Sequence, residues 1–226
     1  MISRIFLRFR GDVGKDISSG PLSDRIRECA AGLARGKSCD VALEVGVGEG
    51  LLAKSVIDGG SVRTLVGVDV LKQQLIEAGL RIRGDNPSKD GGIFSGRLKV
   101  VVARGETLPF KEGAFNLAIT VNTLHNQPSW DEASVILGAV CNVVRFGGSV
   151  IFDIRNRRDP LIYTAYRFST IIDPSTRRLP VNAYSISRVK GRLTELGFDV
   201  VKKVPIRYRF WPIPSGFLIE AVRIKK

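Results

Sequence analysis

Val41-Ala-Leu-Glu-Val-Gly-Val-Gly-Glu-Gly50 runs straight into Leu51-Leu-Ala-Lys-Ser-Val-Ile57. An apolar run, a glycine turn and an apolar helix start make a buried strand, a tight loop and a helix N-terminus. Backbone N–H groups and the helix dipole converge there, which suits a nucleotide-like ligand. Glycine also serves any tight strand-to-helix turn, so the spacing must discriminate. The glycines fall at 46, 48 and 50, a G-x-G-x-G pattern, and Leu51 stands where a dinucleotide fingerprint wants a small residue. The next apolar run closes in Gly67-Val-Asp69, 19 residues past Gly50. A carboxylate at that crevice suits two ribose hydroxyls, and a helix cap is the alternative for Asp69. Glu44, at the strand end before the glycines, is buried unless a ligand ammonium or a water satisfies it.

Working outward, apolar runs suited to buried strands alternate with helical periodicities, the signature of an α/β chain. Strands are predicted over 40–45, 64–68, 98–103, 116–121 and 149–154. A first helix is predicted over 24–34, with Ser23 as N-cap and Gly36 beyond its end. Leu71, Leu75, Ala78 and Ile82 share one helical face, as do Ala133, Ile136, Leu137, Val140 and Val144 after Pro128. Ser185 caps a further helix carrying Ile186, Val189, Leu193 and Leu196, with Gly197 as its C′ residue. Strands over 198–210 and 217–224 close the chain as an antiparallel hairpin around Trp211-Pro-Ile-Pro-Ser-Gly216. Residues 155–184 fit no layer of the sheet. The expected organisation is one domain over 1–226, with an N-terminal helical extension (1–36) and an inserted cap (155–184).

Of the 226 residues, 44% are hydrophobic and 25% charged, ordinary globular composition that excludes wholesale disorder. No apolar run approaches the ~20 residues that span a bilayer. The segment from Met1 to Arg10 is too interrupted by arginine for a secretory signal. Three cysteines without a close pair (Cys29, Cys39, Cys141) argue against a disulfide framework or a zinc site, and one histidine excludes a multi-histidine cluster. No metal is expected, Cys141 reads as a packed thiol, and a reduced, cytoplasmic protein is the expectation. Net charge is +13, unevenly spread: residues 155–226 hold 16 basic against 5 acidic residues, residues 1–154 hold 19 against 17. A basic last third draws polyanions or an anionic membrane surface, or is simply a solvated face.

The ordered motifs resemble the class I S-adenosylmethionine-dependent methyltransferases, in particular the small-molecule, methyltransferase type 11-like group. The resemblance rests on Leu43-Glu-Val-Gly-Val-Gly-Glu-Gly50, Val66-Gly-Val-Asp69, Ala103-Arg-Gly-Glu-Thr-Leu-Pro-Phe110, Ala114-Phe-Asn-Leu-Ala-Ile119, Leu124-His-Asn126 and Val144-Arg-Phe-Gly-Gly-Ser-Val-Ile151. It implies a doubly wound, Rossmann-like, seven-stranded and mostly parallel sheet with an antiparallel C-terminal hairpin. It also implies S-adenosylmethionine as cofactor. Gly46, Gly48 and Gly50 then line the methionine and ribose end, and Glu44 holds the amino group through water. Asp69 takes the ribose hydroxyls, Gly105 and Glu106 lie against the adenine, and Thr120 faces the methionine moiety. Two positions depart from the family pattern. Arg104 replaces the aspartate that usually meets the adenine amino group and has donors but no acceptor, so backbone carbonyls or Glu106 must substitute. Asn116 replaces an aspartate at the start of the fourth strand.

The implied reaction is in-line methyl transfer, in which the protein mainly aligns the nucleophile and excludes water. His125, just past the fourth strand, is the candidate base where the acceptor must lose a proton, with a packed loop residue as the alternative. Arg157, Arg158, Tyr163, Tyr166 and Arg167 mix basic and aromatic groups suited to phosphate plus a ring, and are the candidate substrate residues. A small or lipid-linked anionic acceptor is favoured, and peripheral membrane contact fits the N-terminal Ile2–Arg10 segment only weakly. An RNA acceptor tracked by the basic third is one alternative. A catalytically degenerate binding module, motivated by Arg104 and Asn116, is the other. Oligomeric state is left open.

Overall fold

The computed structural model describes residues 20–83, 97–164, 182–208 and 210–225. Helix α1 (Pro21–Arg35) leads into β1 (Cys39–Val45), α2 (Leu51–Asp58), β2 (Val62–Asp69) and α3 (Lys72–Arg83). Then come β3 (Leu98–Val102), β4 (Phe115–Thr120), α4 (Trp130–Asn142), β5 (Val144–Arg155), α5 (Ile186–Glu195), β6 (Phe198–Ile206) and β7 (Gly216–Arg223). The strands lie in the order β3-β2-β1-β4-β5-β7-β6. The first five are parallel, and β7 runs antiparallel to both its neighbours. This is the doubly wound α/β sheet with the expected C-terminal hairpin. From β1 the chain moves outward through β2 and β3, then returns to the other side of β1 with β4. That reversal opens a crevice outside the carboxyl ends of β1 and β4.

Strand alternation sends side chains to two cores. Leu43, Val45, Ala118 and Phe152 pack against Ile136, Val140, Val189 and Leu193 of α4 and α5. Ala42, Ile119 and Ile151 pack against Ile26, Ala30, Val56, Leu75 and Ala78 of α1, α2 and α3. At roughly 25 cal/mol per Å² of apolar surface removed from water, these two cores supply the bulk of the driving force for folding.

Several element ends differ from expectation. Helix α1 begins at Pro21 behind Gly20, and Ser23 lies buried inside its first turn rather than at the cap. Pro21 explains the earlier start, because it is preorganised for the first helical position and needs no N–H partner. Ser129, not Pro128, starts α4, its hydroxyl accepting from the N–H groups of Asp131 and Glu132. Leu71 precedes α3 and is exposed, while Leu75 and Ala78 carry that face's burial. Val144 belongs to β5, not to α4. Ser185 occupies the cap position of α5 without a side-chain cap bond. Strand β6 stops at Ile206, so the hairpin connection spans 207–215 rather than six residues. Of residues 155–184, expected as an insertion, Arg155 is still strand, and Asn156 and Tyr184 meet in an isolated parallel bridge. Its two ends therefore lie side by side. Tyr166 and Arg167 lie outside the described residues, as does the N-terminal extension up to residue 19.

Candidate active site

The glycine turn is built by crowding. Gly46 and Val47 donate their N–H groups to Val68 O (2.8 and 3.1 Å), which folds the turn back over β2. Gly46 has φ +77, and a Cβ there would overlap Thr123 Oγ1. Gly50, the N-cap of α2 at φ +76, has Ala78 of α3 where a Cβ would stand, at 2.8 Å. Both positions combine left-handed backbone with close approach, so only glycine fits.

Asp69 anchors this turn from both sides, bonding the glycine loop and, as an Asx turn ahead of α3, the backbone that leads into that helix. Its Oδ2 accepts from Gly48 N (3.0 Å) and its Oδ1 from Leu71 N (3.0 Å). Exposed apolar side chains flank it: Val70 follows it, and Val102 faces it in register on β3. Sequence reasoning missed both. The signal was available, since an apolar residue directly after a crevice carboxylate is unfavourable in water unless something covers it.

Glu44 is buried (2% exposed), and its Oε2 has no hydrogen-bond partner. Burial pushes its carboxyl up to about 8, the Arg27 charge on α1 opposes that rise and Asp69 adds to it. Thr120 Oγ1, His125 Nδ1 and Asn126 Oδ1 are buried and unpartnered as well. All four atoms belong to the ends of β1 and β4 or to the turn that follows, Leu124–Asn126. Buried polar atoms in native proteins are normally satisfied, so such a concentration marks a place for a polar ligand or water. The four do not all face one point. Alternation puts Glu44 on the Ala42 face of the sheet and Thr120 on the opposite, Ala118 face.

The turn after β4 is held by groups that the motifs did not reveal. Asn122 has φ +56, the one non-glycine residue in the left-handed region among the described residues. Its N–H donates to Asp153 Oδ1 (2.6 Å), and its Oδ1 accepts from Arg155 Nη2 (2.9 Å). Its carbonyl accepts from Asn126 Nδ2 (3.0 Å). Arg155 Nη1 also donates to Asp153 Oδ2 (2.6 Å) and Nη2 to Ser23 Oγ (3.1 Å), tying α1 to β4 and β5. Asn126 thereby spends its amide donors inward and leaves Oδ1, a pure acceptor, unpaired. The readable hint was Phe152-Asp-Ile-Arg155, two charges two residues apart at the end of the apolar run that begins at Val150. His125 is buried, and burial together with the Arg155 charge lowers its pKa well below the ordinary histidine value, so the ring is neutral at pH 7. Asn182 N donates to His125 O (2.7 Å) and Tyr184 Oη to Leu124 O (3.0 Å), stitching the end of the insertion onto this turn.

On the far side of Asp69, a Cβ on Gly105 would press on Ile136 and Val45, and Glu106 Oε1 accepts from Arg104 Nη2 (2.9 Å). Although burial opposes it, a backbone N–H and Arg104 hold the Glu106 carboxyl below the usual range. A groove of about 480 Å³ between the Glu106–Phe110 loop, α4 and α5 is lined by Leu108, Gly138 and Arg192. It shares Glu106 with the crevice side but borders no glycine-turn residue. Arg157, Arg158 and Tyr163 are exposed beyond the end of β5. Cys141 is a packed thiol that burial pushes up to about 12.

A sheet of this order, with a three-glycine turn after β1 and an acidic residue closing β2, defines the class I methyltransferase fold. Residues 43–152, just under half of the chain, match the methyltransferase-domain family, so the chain is similar to enzymes of that class over that stretch. A putative methyltransferase from Bacillus halodurans superposes with a TM-score of 0.69 at 15% identity, covering 88% of this chain and 99% of that one. The N-methyltransferase NodS from Bradyrhizobium japonicum, in complex with S-adenosyl-L-homocysteine, gives 0.68 at 14% over 99% and 97%. Magnesium protoporphyrin IX methyltransferase (ChlM) from Synechocystis, with the same compound bound, gives 0.68 at 16% over 98% and 94%. At these identities the likeness is one of fold.

Proposed function

We propose that the protein transfers a methyl group from S-adenosylmethionine to a small or lipid-linked anionic acceptor. The observation that carries this reading is Glu44: a buried carboxyl with an unpartnered oxygen, beside a glycine turn anchored by Asp69. A zwitterionic nucleoside fits that pair, its ammonium toward Glu44 and its ribose hydroxyls toward Asp69. When bound, the cofactor supplies an electrophilic methyl group. Gly46, Gly48 and Gly50 admit it closely, and Val70 and Val102 offer the base an apolar shelf with Gly105 and Glu106 alongside. Because Arg104 engages Glu106, backbone groups take the larger share of adenine recognition. Thr120 contributes through its backbone at the end of β4, which suits a side chain buried on the Ala118 face, opposite that of Glu44.

His125, neutral and without a partner at Nδ1, orients the acceptor or takes its proton. The nearby Arg155 charge opposes an imidazolium, which favours acceptors already carrying a free lone pair. Residues 155–164 and 182–184 act as a cap on the acceptor side, with Arg157, Arg158 and Tyr163 toward an anionic group. ChlM, named for a small-molecule acceptor, supports the small-molecule choice. Three free cysteines fit a reduced, cytoplasmic setting.

Isothermal titration with S-adenosylmethionine and S-adenosylhomocysteine tests the cofactor, and both are expected to bind. Folded protein that binds neither at millimolar ligand overturns the enzyme reading in favour of a degenerate binding module. Methyl-labelled cofactor tests the acceptor: label is expected in a low-molecular-weight or lipid fraction. Label in RNA, lost in an Arg157→Ala/Arg158→Ala variant, overturns the acceptor class alone.

A further inference from the structure

The β6–β7 hairpin leaves the sheet at the carboxyl edge, because Gly216 pairs with Arg155 on one side and Ile206 on the other. Its tip reads Phe210-Trp-Pro-Ile-Pro214, five successive apolar residues of which none is fully buried and Phe210 is 87% exposed. Phe210 and Pro212 are exposed and Trp211, Ile213 and Pro214 half-buried, and apolar side chains presented together to water are unfavourable. The tip is held firmly in this position. Trp211 Nε1 donates to Asp159 Oδ1 (2.8 Å), Asn156 Nδ2 to Pro214 O (2.6 Å) and Arg207 Nε to Pro212 O (3.1 Å).

Arginines surround it. Arg25 of α1 donates from Nη1 to Arg207 O (2.9 Å), which brings the start of that helix to the base of the hairpin. Arg157 and Arg158 lie just before Asp159, the partner of Trp211. Arg25, Arg157, Arg158 and Arg207 are all exposed. Among the described residues none of the four forms an ion pair. Tyr163, 61% exposed, adds a third aromatic one turn beyond Asp159.

We propose that this hairpin tip docks on the surface of an anionic phospholipid bilayer. Phe210, Pro212 and Ile213 enter the boundary between headgroups and acyl chains, and the four arginines meet lipid phosphates. Guanidinium groups suit phosphate, and an indole or phenol ring is at home where one side is apolar and the other wet. Composition decides between a bilayer and a nucleic acid. Base stacking uses aromatic faces and gains nothing from Pro212, Ile213 and Pro214, whereas a lipid boundary accommodates all of them. The docked face is the edge onto which the crevice opens, so a lipid-linked molecule reaches it without leaving the membrane. The inference goes beyond methyl transfer and does not depend on it.

Co-sedimentation of the full chain with vesicles tests the proposal, using phosphatidylcholine alone and phosphatidylcholine mixed with phosphatidylglycerol. Binding to the mixed vesicles only is expected. Each arginine near an anionic surface is worth roughly fivefold in affinity, so Arg25→Gln with Arg207→Gln should lose about 25-fold. Phe210→Ser should lose about tenfold, and Arg25→Lys with Arg207→Lys should retain most of the binding. Thermal midpoint and S-adenosylhomocysteine affinity, both expected at the unsubstituted values, separate loss of docking from unfolding and from failure of the cofactor site. Three results would overturn the proposal: equal binding to neutral vesicles, variants that sediment like the parent, or mixed RNA bound in preference to charged vesicles and released by these substitutions.

Discussion

The two ends of the sheet's carboxyl edge handle charge in opposite ways. Around β1, β2 and β4 the crevice groups are the carboxyls Glu44 and Asp69, held in tight backbone where a single added methyl group collides. Around β5, β7 and β6 the described residues include one buried arginine paired with Asp153 and four exposed ones, beside the buried carboxyl of Asp159. The first end is specified by φ angles, N–H groups and close approach, so it is intolerant of change and selective for one ligand shape. The second is specified by side chains that water can solvate, so it tolerates substitution and selects by charge. A ligand with a cationic end and an acceptor with an anionic one are drawn to opposite sides of the same crevice.

The contrast predicts unequal costs. Arg155→Met leaves the fully buried Asp153 carboxylate uncompensated and should destabilise the fold by roughly 3–5 kcal/mol. Arg158→Met, at an exposed position of the same edge, should stay within about 0.5 kcal/mol. Equal thermal shifts in the two variants would erase the distinction between buried and solvated arginine. Gly46→Ala adds left-handed strain to the overlap with Thr123, about 3 kcal/mol together, read as a lower urea midpoint at unchanged slope.

Asp69→Ala sharpens the comparison at the acidic end. Loss of two ribose bonds should weaken S-adenosylhomocysteine binding by at least about 30-fold in titration. Because Gly48 and Leu71 also lose their acceptor, ligand-free stability should fall by about 1–2 kcal/mol. A purely ligand-binding Asp69 would leave stability untouched, and calorimetric scans of the free protein tell the two apart.

The gentlest effect is on pH dependence. Glu44 holds its proton in the folded state up to about 8 and releases it near 4.5 when unfolded. The folded chain therefore binds the extra proton between those values, and stability falls as pH rises through that window, by at most about 1.4 kcal/mol per unit. Below pH 4.5 and above pH 8 the contribution is flat. Glu44→Gln should remove the slope. At pH 7 a ligand ammonium expels that proton, so S-adenosylhomocysteine binding in two buffers of different ionisation enthalpy should show release of close to one proton. The Gln variant should show none.

The class of fold, the glycine turn and the importance of Asp69 were legible in the sequence because each rests on neighbours along the chain. An apolar run, a φ that only glycine accepts and a helical period of buried positions are local properties. The six motifs fall in workable order for the same reason. Ser23 reads as a cap from its neighbours alone, and only the folded chain shows it buried, accepting a hydrogen bond from Arg155 across 132 residues. Asn122 and Thr123 carry no motif and Asn126 only closes one, yet strand order and register press them against Asp153, Gly46 and each other. Glu44 and Thr120 each end a strand beside the crevice, and only the pleat of two paired strands sends their side chains to opposite faces. Sequence by itself determined the kind and order of the elements and where the glycine turn must fall. Tertiary structure decided which distant side chains share a buried space, because desolvation and hydrogen bonding act between atoms that only the completed sheet brings together.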